Sequence, residues 1–285
     1  MSEEQLIAEA ILQLKQESNV IKDYIFPIAM ALFSSFIGAL AGYFVYLRQE
    51  KMAIEKRKLD IVNKWLMMAY QMHQQLIGIK EHYHRNLNTN PISRALSVPT
   101  ILREHKTYSF EYYELAFMAS SKDSNKYNLG KLGLIFDNYE NLLVILNKRN
   151  EVNEEFKKQL LGIMGICSAV TTVSEKDILN NSDPVLLSVL IDLTEFVLRY
   201  TDDLVIQLYN FLNEFPPEAR KQIKLKNLKN YGGLLNFDLK SNSYIQELLK
   251  EAPLPNLKKI AEISGRTEEE LMTRYKPLFN SKNNG

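Results

Sequence analysis

Cysteine is nearly missing from this chain. Its one thiol, Cys167, allows no intrachain disulfide and no multi-cysteine metal site. Net charge is nearly missing too. Thirty-five Lys and Arg balance 34 Asp and Glu, leaving +1, so the chain as a whole is not built electrostatically for nucleic acid. No phosphate-binding Gly-rich loop with its lysine is present, nor a dinucleotide fingerprint, a nucleophile elbow or a zinc-protease helix motif. No segment alternates with the two-residue period of a strand, and there is no internal repeat. These absences exclude the common enzyme signatures and leave an all-α reading.

The four histidines, His73, His82, His84 and His105, include no pair at i, i+4, the spacing that shares a metal on one helix. They read as polar helix-surface residues. No arginine is followed four to six residues later by histidine, the pairing of the ribonucleases among all-helical defence and toxin proteins. Cys167 sits in an apolar run, where a thiol behaves as a small hydrophobe. No catalytic residue, metal ligand or cofactor site is expected.

What the chain does have is one long charge-free apolar run, residues 25–47, IFPIAMALFSSFIGALAGYFVYL. As a helix rising 1.5 Å per residue, about 20 apolar residues cross a bilayer core of roughly 30 Å. Tyr24 stands at one end and Tyr43 and Tyr46 near the other, at headgroup level. Pro27 lies in the first turn, where a missing N–H matters least. A buried core helix would normally carry a polar face, and this run has none. A cleaved signal peptide has a match at Ala39-Leu40-Ala41, but the run is too long, its leading segment is acidic, and it continues past that point. The expectation is a single transmembrane helix, in contact with membrane lipid.

Basic residues set its orientation. Lys15 and Lys22 precede the run; Arg48, Lys51, Lys56, Arg57, Lys58 and Lys64 come after it. The positive-inside rule places the N-terminus outside and the C-terminal side in the cytoplasm, at the cell (inner) membrane. Small residues line one side of the run four apart, as Ser34, Gly38 and Gly42, with Ala31, Ser35 and Ala39 beside them. Such rows let two helices approach closely in lipid, so Ser34, Ser35, Gly38, Ala39 and Gly42 are the expected packing face of a homo-oligomer.

The rest divides into four parts by composition. Residues 1–23 form a short amphipathic head, with Ser2 and Gln5 at capping-box spacing. Residues 24–47 are the span. Residues 48–216 hold a long helix and a cytoplasmic helical bundle. Residues 217–285 are a basic, helical C-terminal appendage.

Within 52–86, Ile61, Trp65, Met68, Met72, Leu76, Ile79 and Tyr83 make one helical seam. Residues 86–99, rich in Asn, Ser and Pro, read as a loop. Helices are expected at about 109–120 and 129–149, with Lys148 and Arg149 in the last turn of the second. Asn153 reads as the cap of a further helix reaching about Val173, its apolar second half central in the domain. Asp183-Pro184 starts another, which Pro216-Pro217 should stop after Phe215. Shorter helices are expected at about 243–250, 256–264 and 268–275, the last with a Thr267/Glu270 capping box.

Arg220, Lys221, Lys224, Lys226 and Lys229 fall in a stretch without acidic residues and are candidates for a membrane surface or an acidic partner. Residues 257–275 resemble a DNA-binding helix-turn-helix, with Ala261 and Gly265 in place. Arg266 stands where that motif wants an apolar residue, and Glu268, Glu269 and Glu270 would repel phosphate, so nucleic-acid binding is not expected.

The functional expectation is a membrane-anchored interaction or signalling module, with a protein partner at the cytoplasmic bundle. The alternatives are an oligomeric pore-type effector, for example in bacterial defence, and a membrane-tethered enzyme. The Asn-, Lys- and Ile-rich composition is of a bacterial kind.

Overall fold

The computed structural model describes residues 2–16, 21–101, 111–118, 129–164, 174–228 and 231–276. Every regular element among them is helical. The chain forms two compact units, 1–57 and 58–285.

The first unit opens with α1, Glu3–Gln16. The Ser2 N–H donates to Gln5 Oε1 at 3.4 Å, the backward half of the expected capping box. Leu6, Ile7 and Ile11 are all exposed, so no described residue covers the apolar side of α1. A π-type turn, Ile21–Ile25, leads into α2, Phe26–Glu81, a single helix of 56 residues that contributes to both units. Its continuity comes from the want of proline or glycine between Tyr43 and Ile77.

The second unit is built on the seam in the later part of α2. Trp65, Met72, Leu76, Ile79 and Tyr83 are at most 2% exposed, and Ile61 and Met68 pack beside them. The chain then makes a 3-10 turn, His84–Asn86, and forms α3, Pro91–Ser97. Here the expected loop is corrected to a helix. Asn90 caps it, accepting from the Ile92 and Ser93 N–H groups, and Pro91 fills the first position. This is the same cap-then-proline start that marks Asp183-Pro184.

A 3-10 segment, Tyr112–Met118, stands inside the expected 109–120 helix; the rest of that stretch is largely outside the described residues. Next comes α4, Leu129–Met164, unbroken where two helices were expected. Asn153 is not a cap. It lies inside α4, 1% exposed, and donates to Thr100 Oγ1 at 3.0 Å. No proline interrupts α4, and Arg149, Asn150 and Asn153 are held against residues 95–101 through the region of the expected break. Residues 165–173 of the expected apolar helix, Cys167 among them, fall outside the described residues.

α5, Glu175–Asn181, is capped by Ser174. α6, Pro184–Gln222, begins at Asp183 as expected but runs straight through Pro216 and Pro217. A proline's fixed φ is itself helical; its cost is a lost N–H bond and crowding of the preceding turn. Phe215 and Ala219, both 0% exposed, and Ile223, 5% exposed, bury enough apolar surface to hold the helix through that defect. α4 and α6 pack on one another, and α3 lies on α6.

Residues 231–239 run beside α2. The Leu235 N–H donates to Asn63 Oδ1 at 2.9 Å, and Phe237 stacks on Tyr70 at 4.2 Å. Three short helices close the described chain: α7, Ser243–Leu248; α8, Leu257–Ser264; and α9, Glu268–Arg274. Thr267 caps α9 as expected, accepting from the Glu270 N–H at 3.2 Å. Gly265 ends α8 with φ +72°, a conformation that favours glycine.

Two apolar cores result among the described residues. The larger gathers Trp65, Phe136, Phe211 and Phe215 with Leu228, Leu239 and Leu248. The smaller gathers Ile92, Phe156, Leu187 and Leu190 with Ile260, Leu271 and Tyr275. Residues beyond 217 therefore share both cores with the longer helices.

Candidate functional site

The apolar run and its small residues lie on α2. Every residue from 26 to 46 is exposed, Ser34, Ser35, Gly38, Ala39 and Gly42 included. A Cβ added at Gly38 or Gly42 meets nothing within 4 Å, so the described residues do not use the room that these glycines leave. Among the described residues, one helix is apolar enough, by length and composition, to cross a membrane, and none of its apolar window is buried.

A second feature has no counterpart among the expectations. The second unit buries a set of charged side chains where α2, α3 and α6 meet residues 250–253. Arg94 of α3 is 0% exposed and grips Glu195 of α6 with two bonds, Nε to Oε1 at 2.6 Å and Nη2 to Oε2 at 2.8 Å. Lys80 of α2 pairs with Asp202 of α6 at 2.6 Å, both side chains 2% exposed. Burial pushes the Glu195 carboxyl up, opposed by the hydrogen bond and charge of Arg94. Burial and the Asp202 charge raise the Tyr83 phenol beside them.

These charges do more than pair with each other. Lys80 Nζ donates to the Lys250 carbonyl at 2.6 Å, and Asp202 Oδ2 accepts from the Ala252 N–H at 2.6 Å. Arg199 Nη1 donates to the Ala252 carbonyl at 3.2 Å, and Arg94 Nη1 to the Pro253 carbonyl at 2.9 Å. Backbone polar groups turned inward from an irregular segment must be satisfied, and charged side chains do so here.

Arg149 plays a similar part nearby. It was expected at the end of its own helix, with its charge at that dipole. It lies instead within α4, 0% exposed, and donates to the carbonyls of Ala95 and Val98, both at 2.6 Å, and of Pro99 at 3.1 Å. It thus closes the C-terminal end of α3 rather than its own helix. Burial lowers its pKa to about 10.

A third cluster joins α9 to α6. Asp192 accepts from Arg274 Nη2 at 2.6 Å and from the Tyr275 hydroxyl at 2.8 Å. Burial pushes the Asp192 carboxyl up, but the bonds from Arg274 and Tyr275 outweigh it and hold the carboxyl below its ordinary range.

The described Lys and Arg residues of the basic run are exposed. Arg220 and Lys221 stand in the last turn of α6, where Lys221 pairs with Glu218 at 2.9 Å. Lys224 and Lys226 are exposed, and Lys229 lies outside the described residues. Arg220 and Lys240 border a groove of about 600 Å³ lined also by Pro216, Leu234 and Phe237.

The histidines divide. His82 is exposed, and His84 is half-buried, 3.5 Å from Glu247. His105 lies outside the described residues. His73 corrects the surface expectation: it is 0% exposed, neither ring nitrogen has a hydrogen-bond partner among the described residues, and burial lowers its pKa to about 4. No group of three or more His, Cys, Asp or Glu among the described residues is placed to hold a metal ion.

Sequence reasoning missed Lys80, Arg94, Glu195, Arg199 and Asp202 as interior groups. A signal existed. His73 and Lys80 continue the spacing of Val62, Leu66 and Ala69, and Glu195 and Asp202 lie four residues after Ile191 and Leu198, and these apolar neighbours are all at most 1% exposed. Comparison with protein-family models, with curated proteins and with solved structures finds no match.

Proposed function

We propose that this chain is a single-pass, membrane-anchored helical protein that assembles with its own copies. Its second unit is a cytoplasmic helical bundle and acts as an interaction or signalling module. The observation that carries the reading is the state of residues 26–46: apolar, helical and uncovered by the other described residues. Patches larger than a few hundred Å² are rarely left exposed by soluble monomers, and lipid is the solvent that accepts such a surface without penalty. The basic residues after the run, Arg48, Lys51 and Arg57 among them, are exposed and keep the second unit on the cytoplasmic side. The uncovered faces of Gly38 and Gly42 are where a second copy would approach.

The test is the mass of the detergent-solubilised full chain, for the natural sequence and for Gly38→Ile/Gly42→Ile. Because neither site touches other described parts of the chain, the change should spare the fold and act on association alone. A defined oligomer that falls to monomer in the double variant supports the reading. Two monomers, or two identical oligomers, remove the small-residue face from it. Recovery of the natural chain in the soluble fraction without detergent removes the anchor.

A further inference from the structure

We infer that residues 250–253 are a latch. Lys80, Arg94, Arg199 and Asp202 form a site that reads the backbone of an extended peptide, and the chain's own strap is its resident ligand. On release, α8 and α9 leave as one piece and uncover a surface that fits an amphipathic helix entered by an extended lead. This goes beyond the proposed anchor and does not depend on it.

Four observations carry the inference. First, the strap is held by its backbone. The Lys250 carbonyl, the Ala252 N–H and the Ala252 and Pro253 carbonyls all meet side chains of the site. Of its side chains, Pro253 and Leu254 are exposed, and the buried ones are the small Ala252 and, further on, Pro255. Recognition of that kind accepts any extended segment with a small residue at the inserted position.

Second, the strap is stiff. Residues 251–256 have no regular hydrogen-bonded structure, and Pro253 and Pro255 favour an extended chain that loses little entropy on docking.

Third, the two helices C-terminal to the strap attach as one module to the smaller core, with few further ties: Lys259 pairs with Glu175, the Asn256 N–H donates to the Thr89 carbonyl at 2.7 Å, and Phe196 packs on Tyr275 and Arg274. α8 and α9 reach the smaller core through Ile260, Leu271 and Tyr275, while Trp65, Phe136 and Phe211 belong to the larger one. The polar ties of α9 to α6 converge on Asp192. Segments with few buried apolar contacts open at lower free energy than the core around them.

Fourth, the surface beneath is apolar and already shaped for a helix. Ile92 of α3, Phe156 of α4, and Leu187 and Leu190 of α6 cluster with Ile260 of α8. The occupant that the site fits in trans therefore has the chemistry of residues 250–275: an extended lead with a small residue, then an amphipathic helix. The buried charges make sense in this light. A paired set in the interior adds little net stability over apolar side chains of the same volume, but it fixes one docked geometry.

The experiment uses the full chain in detergent micelles. Ala252→Pro removes the backbone N–H that Asp202 accepts while keeping an extended backbone. Hydrogen exchange is followed by peptide mapping, and a synthetic peptide of residues 248–276 is titrated against both proteins. Leu254→Ser, at a strap side chain 45% exposed, serves as control and should change nothing. The expected result is exchange at least tenfold faster over 257–275 in Ala252→Pro, with residues 205–215 unchanged. The peptide should bind the variant and not the natural chain, whose site is filled. Three results would each overturn the inference: exchange rising together in 205–215 and 257–275, no change in either, or a peptide that fails to bind a variant whose 257–275 has loosened.

Discussion

Residues 26–47 and 58–81 both belong to α2, yet they place their apolar side chains differently. In the first stretch apolar residues surround the helix, and no other described residue covers those from 26 to 46. In the second they keep to one side. Leu59, Val62, Trp65, Leu66 and Met72 are at most 1% exposed, while Asp60 and Lys64 face outward, with Met67 the one exposed large apolar residue among 58–81. On one backbone the two stretches thus differ in side-chain periodicity. A helix that meets one apolar solvent all round needs no face; a helix that meets both water and a core must have one. The second stretch also carries polar groups into its covered side, His73 and Lys80, while no charge occurs in the first.

Substitutions on the two stretches should divide accordingly. Trp65→Ala should lower the stability of the second unit by about 3–5 kcal/mol, since it empties a fully buried site between Tyr112 and Phe136. Leu40→Ala in the exposed run should change it by less than about 0.5 kcal/mol. Thermal unfolding of both variants in the same detergent reads the contrast, and equal losses would break the comparison.

The buried charges sharpen it further. Glu195→Ala leaves the Arg94 guanidinium buried without its carboxylate and should cost roughly 3–5 kcal/mol. Replacing the pair together, Arg94→Leu with Glu195→Leu, should lose less than the single change. A double variant as unstable as Glu195→Ala, in the same unfolding assay, would show that the attraction itself holds the fold.

His73 gives a pH dependence that the exposed run lacks. Its folded pKa of about 4 lies below the ordinary 6.5. Above pH 6.5 the imidazole is neutral in folded and unfolded chain alike. As pH falls from 6.5 toward 4, the unfolded chain takes up a proton that the folded chain does not, so stability falls, by about 3 kcal/mol over the whole window. His73→Leu should flatten this part of the stability–pH curve. An unchanged slope in that variant would assign the acid sensitivity to another group.

Elements with a strong local signal were legible in the sequence. The seam of α2 from Ile61 to Ile79, the Asp183-Pro184 start and the Thr267 cap all appear where their residues place them. The errors came where local chemistry points two ways. Asn90-Pro91 opens a helix, but its Asn- and Ser-rich neighbours read as loop. Asn153 is a good cap by type, yet tertiary contacts of Arg149, Asn150 and Asn153 carry α4 through it. Pro216 and Pro217 break helices in isolation, yet burial of Phe215 and Ala219 outweighs them. The charged cluster was hidden for a related reason: Lys, Arg, Asp and Glu default to the surface, and only a partner from a distant element makes their burial tolerable.

The sequence by itself determined the helical class and the one apolar run, because both are written in periods of a few residues. Tertiary structure alone decided which distant partner each buried charge meets. Arg94 meets Glu195 101 residues away, and Asp202 meets the backbone of Ala252 50 residues away. Those pairings hold because each buried charge needs a specific partner, and no local pattern of residues can say which distant group the fold will bring to it.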